Sequence, residues 1–349
     1  MTQGARRSVA REFCTEQIPL IAGAVLLGLA AAYAQHGFLP GAEIAFPLAE
    51  VRVPVWHLIW MGVWTGYTMA VVGEASGIFA LPYSMSILQF VNPHVTPSTQ
   101  LLTFLNPFGA LLGFRRSGQW NLKFAAAVCI GGAVGGIIGP FLRSSVLSAK
   151  DVFHLAVGIA LAIAGAHLCY AAYRAPARRP DAAARNADAY REKVRIAARI
   201  SGTRITVSFQ DQKWDLSLVT LFVVGAVVGV FASALGVGGG FLLVPIFASL
   251  YKLPMYVLVA ATIPFVIVLS AVGLFTYNVI LPAFGSPAIA PEWAWGFFAA
   301  AGGIFGSWAA SKTQMYVPEH FLKLMLGGVT GAVGALYVVN FFYPLPFRV

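Results

Sequence analysis

Charged side chains are scarce in this chain of 349 residues: Asp, Glu, Lys and Arg make up 10% of it, against 58% hydrophobic residues. This composition argues against a soluble globular domain, because several apolar runs approach or exceed the ~20 residues that cross a bilayer. The formal net charge of +10 would suggest nucleic acid in a soluble protein. Here the basic residues cluster between apolar segments, so we predict contacts with the lipid bilayer and no nucleic-acid partner.

Residue patterns for metals, redox chemistry and nucleotides are also missing. Cys14, Cys129 and Cys169 lie far apart and lack the spacing of a metal or redox site. The histidines of the apolar stretches form no i, i+4 pair, which argues against haem or metal ligation. We therefore predict no cofactor and no metal. Because no P-loop motif is present, transport would draw on an ion gradient, the membrane potential or the substrate's own gradient.

The hydropathy pattern predicts an all-α polytopic membrane protein with about nine transmembrane helices. The first apolar run, Ile18 to Ala34, follows a basic N-terminus and is interpreted as an uncleaved helix, with signal-peptide cleavage after Ala34 as the alternative. Four parts are predicted: an N-terminal basic segment with the first helix and a loop (1–54), membrane repeat one (55–173), a basic loop (174–215) and membrane repeat two (216–349).

Glycine and proline interrupt two of the apolar runs at corresponding places. A shift of 163 residues places Gly73 on Gly236, Gly77 on Gly240, Pro82 on Pro245 and Thr99 on Thr262. Irregular backbone at membrane depth is tolerated only when it is buried in protein or lines a wet cavity. Two halves broken at the same place are typical of transporters built from inverted repeats, with the substrate site at the breaks.

The short apolar piece after the first break, 77–91, could cross the membrane or return as a re-entrant hairpin. A crossing places the N-terminus and the basic loop on one face, which fits the distribution of basic residues better. Two short pieces that each enter part way would give the same pattern. The loop 174–215 holds ten Lys and Arg against five acids and is predicted to be cytoplasmic. Residues 205–209 and 213–216 within it predict a small hairpin.

The second break also carries a family resemblance. Leu235-Gly236-Val237-Gly238-Gly239-Gly240 with Pro245, followed by Ala260-Ala261-Thr262 in a duplicated apolar chain, resembles the TauE/SafE family of membrane permeases. The resemblance covers the two cores, about 62–173 and 225–341, and leaves out the basic loop and the first helix. It implies movement of sulfite, of sulfonates such as sulfoacetate, or of related carboxylates across the bacterial inner membrane.

The residues at the breaks fit an anionic substrate. A helix that restarts at membrane depth directs N–H groups and a partial positive charge into the cavity. Glycine lets a ligand approach the backbone closely. The alternative is that these glycines only permit tight helix crossing. The predicted substrate-binding residues are Gly238, Gly239, Gly240, Thr262, Ser76, Gly77, Thr99, Thr103 and Asn106.

Hydroxyl and amide side chains follow each break. Thr99, Thr103 and Asn106 are spaced i, i+4 and i+7, so one helical face presents all three. Gln100 and Ser270 belong to the same polar set. These groups either bind the substrate or form hydrogen bonds between helices, worth about 0.6 kcal/mol each.

Glu74 is the acid expected at membrane depth, where a charged carboxylate costs roughly 2.5 kcal/mol or more. We predict a coupling or gating role for Glu74, Pro82 and Pro245, with an exposed position at the cytoplasmic mouth as the alternative for Glu74. Arg115 and Arg116 are predicted to attract the anion or to anchor the surface.

The resulting prediction is a secondary transporter of small anions that works by alternating access, and not an enzyme. A proton or a sodium ion is a candidate coupling ion, and a homodimer is left open. Two alternatives remain. The first is a membrane scaffold that recruits a partner through the basic loop. The second is an intramembrane enzyme with Ser76 or Ser233 as the nucleophile, for which no base lies nearby in the sequence.

Overall fold

The structure is a computed structural model that describes residues 11–37, 43–72, 76–111, 121–174, 196–210, 212–313 and 319–343. It is a bundle of helices with two small antiparallel sheets at its ends, so the prediction of an all-α polytopic membrane protein is confirmed. Six of the described segments are long and apolar enough to cross a bilayer: Phe13–His36, Leu122–Ser145, Lys150–Tyr173, Leu218–Leu235, Ala261–Ala283 and Leu324–Phe342. The count of about nine crossings stays a prediction.

The first part of the chain contains six helices. They are α1 (Ile18–His36), α2 (Val55–Val72), α3 (Gly77–Pro82), α4 (Val95–Leu105), α5 (Leu122–Ser145) and α6 (Lys150–Arg174). A π-helical turn, Phe13–Gln17, leads into α1, and a π-helical turn, Tyr83–Ile87, continues α3. A hairpin of β1 (Glu43–Phe46) and β2 (Val51–Pro54) separates α1 from α2.

The second part begins with a three-stranded sheet of order β3-β4-β5, formed by Ala197–Ser201, Arg204–Phe209 and Gln212–Ser217. Five helices follow: α7 (Leu218–Leu235), α8 (Gly240–Leu250), α9 (Met255–Phe275), α10 (Trp293–Thr313) and α11 (Glu319–Phe342). Residues Thr276–Ile280 and Leu281–Ala283 continue α9. The predicted hairpin is confirmed as β4 and β5. The hairpin of β1 and β2 was missed, because four-residue strands leave too weak a pattern in a loop.

The bundle has two distinct ends. We call the end with β1 and β2 (Glu43–Pro54) the hairpin face, and the end with β3 to β5 (Ala197–Ser217) the sheet face. Helix α10 begins at the hairpin face, where Glu292 accepts hydrogen bonds from Gln35 and from the Leu48 N–H. Its far end packs against the first residues of the described chain, since Phe13 contacts Trp308. The N-terminal end of α1 therefore lies at the sheet face.

The short helices α3 and α8 run from the breaks toward opposite faces. The chain that leaves α3 reaches the hairpin face, where Asn92 Nδ2 donates to the Leu48 carbonyl at 2.5 Å. At the sheet face, Asn121 at the start of α5 donates to the carbonyl of Ile196 at 2.9 Å. Helix α9 is parallel to α5 and packs along it, so α9 also begins at the sheet face. Helix α8, which leads into α9, therefore runs to the sheet face.

The two halves share helix bounds and contacts. Helices α2 and α7 have 18 residues each and begin at 55 and 218, an offset of 163, and the same offset relates the starts of α3 and α8 at 77 and 240. Gly62 of α2 packs on the backbone of Ala299 in α10, and Gly225 of α7 packs on the backbone of Val128 in α5. The first helix of each half thus packs on the fourth helix of the other, and glycine permits that close approach.

The remaining helix pairs follow the same reciprocal pattern. The third helices, α4 and α9, contact each other, and the fifth helices, α6 and α11, form a pair of their own. In that pair Gly158 packs on Gly334 and Gly165 packs on Gly327. Two inverted repeats would produce contacts of this kind.

Candidate functional site

The two glycine breaks contact each other inside the bundle. Gly77 is the first residue of α3, and a β-carbon added to it would stand 2.7 Å from the Cα of Val237 and 2.8 Å from the Gly236 carbonyl oxygen. The same β-carbon would stand 2.9 Å from Thr103 Oγ1 on α4. Gly77, Gly236 and Thr103 therefore meet at one place, which brings the two halves of the chain together.

The glycines of the second break adopt backbone conformations that other residues rarely take. Gly236, Gly238 and Gly239 have φ values of 76°, 81° and 74°. Gly239 precedes α8, and a β-carbon there would stand 2.8 Å from Phe265 and 3.3 Å from Leu269, both apolar. Gly239 thus packs against α9, and a larger residue at this position would strain the fold whether or not a ligand binds nearby.

Thr99 and Thr103 face the two breaks from α4. A β-carbon added to Gly236 would stand 2.9 Å from Thr99 Oγ1, and a β-carbon added to Gly77 would stand 2.9 Å from Thr103 Oγ1. The Thr99 hydroxyl donates to the carbonyls of Val95 and Thr96, and that of Thr103 donates to the Thr99 carbonyl at 2.8 Å. Their protons are therefore used within their own helix. These two side chains present acceptor oxygens to the breaks, which suit a donor better than an anion.

Two amide side chains of α4 occupy space left by glycines on other helices. Gln100 lies against Gly273 of α9 and donates from Nε2 to Ser233 Oγ at 3.3 Å. Asn106 lies against Gly303 of α10, and a β-carbon on Gly66 would stand 2.7 Å from its Oδ1. Alanine in place of Gly273 would clash with the Gln100 amide, and alanine in place of Gly303 would clash with the Asn106 amide. These glycines therefore make room for the two polar side chains inside the bundle.

Several buried polar atoms in this region have no hydrogen-bond partner among the described residues. They are Ser76 Oγ beside the first break, Gln100 Oε1, both amide atoms of Asn106, and Ser270 Oγ on α9. All four side chains are fully buried. A buried polar group without a partner costs about 1–3 kcal/mol, and native proteins keep few of them. Gln100 faces α9 and Asn106 faces α10, so these atoms lie at different positions around α4, and each has capacity to bind a polar ligand.

The other predicted residues have different positions. Thr262 is buried on α9. Gly240 begins α8, and its N–H donates to the Gly238 carbonyl at 3.0 Å. Pro82 ends α3 at the π-helical turn, and Pro245 lies inside α8, so each removes one backbone donor. The predictions for Glu74, Arg115 and Arg116 concern positions outside the residues that the structure describes.

A buried arginine near the second break was not predicted. Arg143 lies in the last turn of α5 and is 2% exposed. Its Nε donates to Thr96 Oγ1 at 3.2 Å, one Nη donates to the Leu147 carbonyl, and its Cζ lies 3.9 Å from the centre of the Phe153 ring. Its position in the last turn of the apolar segment Leu122–Ser145 was the signal that could have identified it.

A buried acid at the hairpin face was also missed. Glu292 is fully buried, and its carboxylate accepts hydrogen bonds from Gln35 at 2.5 Å and from the Leu48 N–H at 2.9 Å. Burial raises the pKa of Glu292 above its ordinary value, although the bonds from Gln35 and the backbone of Leu48 and Ala49, and the nearby His94, act to lower it. This carboxyl joins α1 and the β1–β2 hairpin to the start of α10.

Residues 58–337 match the family model described as sulfite exporter TauE/SafE. No curated protein and no solved structure is significantly similar to the chain. The matched range begins within α2, ends within α11 and contains both breaks together with the polar residues of α4. Because the match covers well over half of the chain, the protein belongs to the sulfite exporter TauE/SafE family of membrane transporters.

Proposed function

We propose that this protein is a secondary carrier that moves a small oxyanion across the bacterial inner membrane. The proposed substrate is sulfite or an organosulfonate such as sulfoacetate, as the family implies. The proposed site lies between the two breaks, and the two halves act as inverted repeats that expose it to one side and then to the other. In this arrangement the basic loop 174–215 is cytoplasmic, so the sheet face is the inner face and the hairpin face the outer one.

The contact between the two breaks is the observation that carries the proposal. Gly77 reaches Gly236 and Val237, so a substrate held there would touch both halves at once. Helices α3 and α8 begin beside this contact and run to opposite faces. Their N-terminal ends carry partial positive charge, which favours an anion between them.

Unpartnered polar donors next to Gly77 and one turn after Thr103 on α4 support the proposal. The Ser76 hydroxyl and the amide NH₂ of Asn106 have donors without a partner among the described residues, and both side chains are fully buried. The oxygens of sulfite or a sulfonate accept hydrogen bonds from such donors. Thr99 and Thr103 use their hydroxyl protons within α4. We therefore assign the donor role to Ser76 and Asn106 and leave Thr99 and Thr103 as lining residues.

The membrane potential is sufficient to drive export. With an inside-negative potential, outward movement of one negative charge is favoured by roughly 2.3 kcal/mol per 100 mV. Export therefore needs no coupling ion, whereas import against this potential would need a proton or a sodium ion.

Flux measurements in proteoliposomes test the proposal. Vesicles that contain the purified protein should release loaded sulfite faster than protein-free vesicles, the rate should saturate with concentration, and a potential that is negative inside should increase it. Parallel vesicles loaded with sulfoacetate or acetate identify the preferred class of anion. A rate equal to that of protein-free vesicles for all three anions would contradict the proposed function.

A further inference from the structure

Arg143 is a buried cation without an acidic partner in the described part of the chain. It is 2% exposed, and the ion pairs found there, Arg204 with Asp215 and Lys312 with Glu12, do not include it. A buried guanidinium is unfavourable unless an opposite charge and hydrogen bonds compensate for its lost hydration. The carbonyl of Leu147 and the C-terminal end of α5 provide only partial negative charge.

The guanidinium has donors to spare. Its hydrogen bonds to Thr96 and Leu147 use two of the five N–H groups that an arginine carries. Thr96 is fully buried, and its hydroxyl accepts the bond from Nε. No acceptor for the Thr96 proton lies among the described residues, so that proton can also point at a ligand. Phe153 packs against the guanidinium plane and fixes its orientation.

Arg143 lies next to the contact between the breaks. A β-carbon on Gly236 would stand 2.9 Å from the Thr96 methyl group, so Thr96 touches the second break directly. The same threonine holds the Arg143 side chain. Because α5 ends toward the hairpin face, the guanidinium lies on the hairpin-face side of the break contact.

None of the neighbouring titratable groups balances the positive charge of Arg143. His154 and Tyr277 lie within electrostatic range of the guanidinium, and the Nε2 of His154 is buried without a partner. Asp151 and Lys150, of opposite charge, both act on His154 from the start of α6. Asp151 forms no ion pair with Arg143, so the charge of the guanidinium still has to be balanced by an anion.

We propose that Arg143 and Thr96 form a subsite for the oxygen atoms of the transported anion, on the hairpin-face side of the breaks. This inference rests on the proposed function. The planar guanidinium presents two parallel N–H groups that match two oxygens of one sulfite, sulfonate or carboxylate, and chloride offers no such pair. The anion supplies the charge that the protein lacks there. In the proposed topology the subsite holds the anion on the outer side of the break contact.

A purely structural role makes a different prediction. If Arg143 only caps α5 through the Leu147 carbonyl, lysine would serve nearly as well and sulfite affinity would not depend on this residue. If Arg143 binds the anion, lysine keeps the charge but loses the paired N–H groups. Arg143→Lys should then fold normally and bind sulfite more weakly.

Calorimetric titration of the purified full-length protein with sulfite separates the two roles. We expect the dissociation constant to rise at least tenfold in Arg143→Gln, by a smaller factor in Arg143→Lys and several-fold in Thr96→Val. Lys312→Gln, which removes a cation paired with Glu12 near the end of α10, is the matched control and should stay within twofold of wild type. Chloride should not compete with sulfite at tenfold excess.

The outcomes distinguish this subsite from the proposed function. If wild type and Arg143→Lys bind sulfite with affinities within twofold, the subsite is wrong and the transport proposal stands. Should Arg143→Gln fail to fold, the lysine and Thr96→Val variants still decide the matter. If the wild-type protein neither binds nor transports sulfite, sulfoacetate or acetate, the proposed function fails and the subsite fails with it.

Discussion

Gly77 lies directly against Val237, because a β-carbon added to Gly77 would stand 2.7 Å from the Val237 Cα. This contact joins the two halves of the protein. Gly77→Ala should force the breaks apart, because backbone atoms on the opposite side cannot rotate away as a flexible side chain can. We expect sulfite flux in proteoliposomes to fall at least tenfold while membrane insertion is retained.

The control for this variant is Gly328→Ala on α11. A β-carbon there would meet no other atom within 4 Å, and alanine is favourable in a helix interior. Gly328→Ala should keep wild-type flux at matched protein content. Flux in Gly77→Ala within twofold of wild type would show that the contact between the breaks is not needed for transport.

Ser76 and Ser307 should respond in opposite ways to alanine substitution. Ser307 Oγ donates to the Asn106 carbonyl at 2.8 Å, so Ser307→Ala should lower the free energy of unfolding by about 1 kcal/mol. Ser76 Oγ has no partner among the described residues, so Ser76→Ala should leave stability unchanged or raise it. Thermal unfolding in detergent without added anion measures both. A destabilised Ser76→Ala would indicate that the hydroxyl has a structural partner.

Glu292 should make stability depend on pH. Because its pKa is raised in the folded protein, folding favours the protonated carboxyl. That contribution is fully present below the ordinary pKa of the unfolded chain and is lost as pH rises through the folded pKa, with a limiting slope of about 1.4 kcal/mol per pH unit. Glu292→Gln, which stays neutral, should lack this loss, which begins as pH rises past the ordinary glutamate pKa of about 4.3.

The surroundings of Glu292 can accommodate the neutral form. Rotation of the Gln35 amide exchanges its Nε2 for its Oε1, and that oxygen has no partner among the described residues. The oxygen could then accept a hydrogen bond from the protonated carboxyl of Glu292, or from the amide of glutamine at the same position. Melting temperatures measured against pH for wild type and Glu292→Gln test this. Two parallel curves would mean that the carboxyl does not titrate differently on folding.

Gly62 and Gly225 should both be sensitive to substitution by alanine. Each packs on the backbone of a helix from the other half, at Ala299 and Val128. Alanine at either position should therefore lower stability by about 1–3 kcal/mol, and more at Gly62, where the added β-carbon would stand 1.8 Å from the Ala299 carbonyl oxygen, against 2.4 Å from that of Val128 at Gly225. Gly23→Ala on α1, where a β-carbon meets nothing within 4 Å, should be neutral. If only one of the two variants is destabilised, the two contacts are not equivalent, which argues against the repeat relation.

The sequence predicted the elements better than it predicted the side-chain chemistry. The repeats were predicted to begin at 55 and 216, close to the starts of α2 and α7 at 55 and 218, because lipid imposes a length and a continuous hydropathy on each helix. The i, i+4 spacing predicted that Thr99 and Thr103 share a helical face, and each lies against a glycine of one break. It could not show that their hydroxyls donate within their own helix, since that choice depends on which partners the fold brings near.

Buried charges were the hardest to predict. The sequence drew attention to Glu74, which follows a glycine break, whereas Glu292 precedes a tryptophan-rich helix in an ordinary loop. Its burial depends on Gln35 and on the β1–β2 hairpin, which are more than 200 residues away in the chain. The burial of Arg143 was equally hard to predict, because Thr96 and Phe153 enclose its side chain only in the folded bundle.

The dissociation constant of sulfite for Ser76→Ala tests the central claim, an anion site between the breaks, most directly. Calorimetric titration should include wild type and Ser311→Ala, whose hydroxyl donates within α10 to the Trp308 carbonyl. We predict equal affinities for wild type and Ser311→Ala, and binding about tenfold weaker for Ser76→Ala, because it loses one hydrogen bond to a charged ligand. Sulfite binding to Ser76→Ala as tight as to wild type would contradict a site at the break.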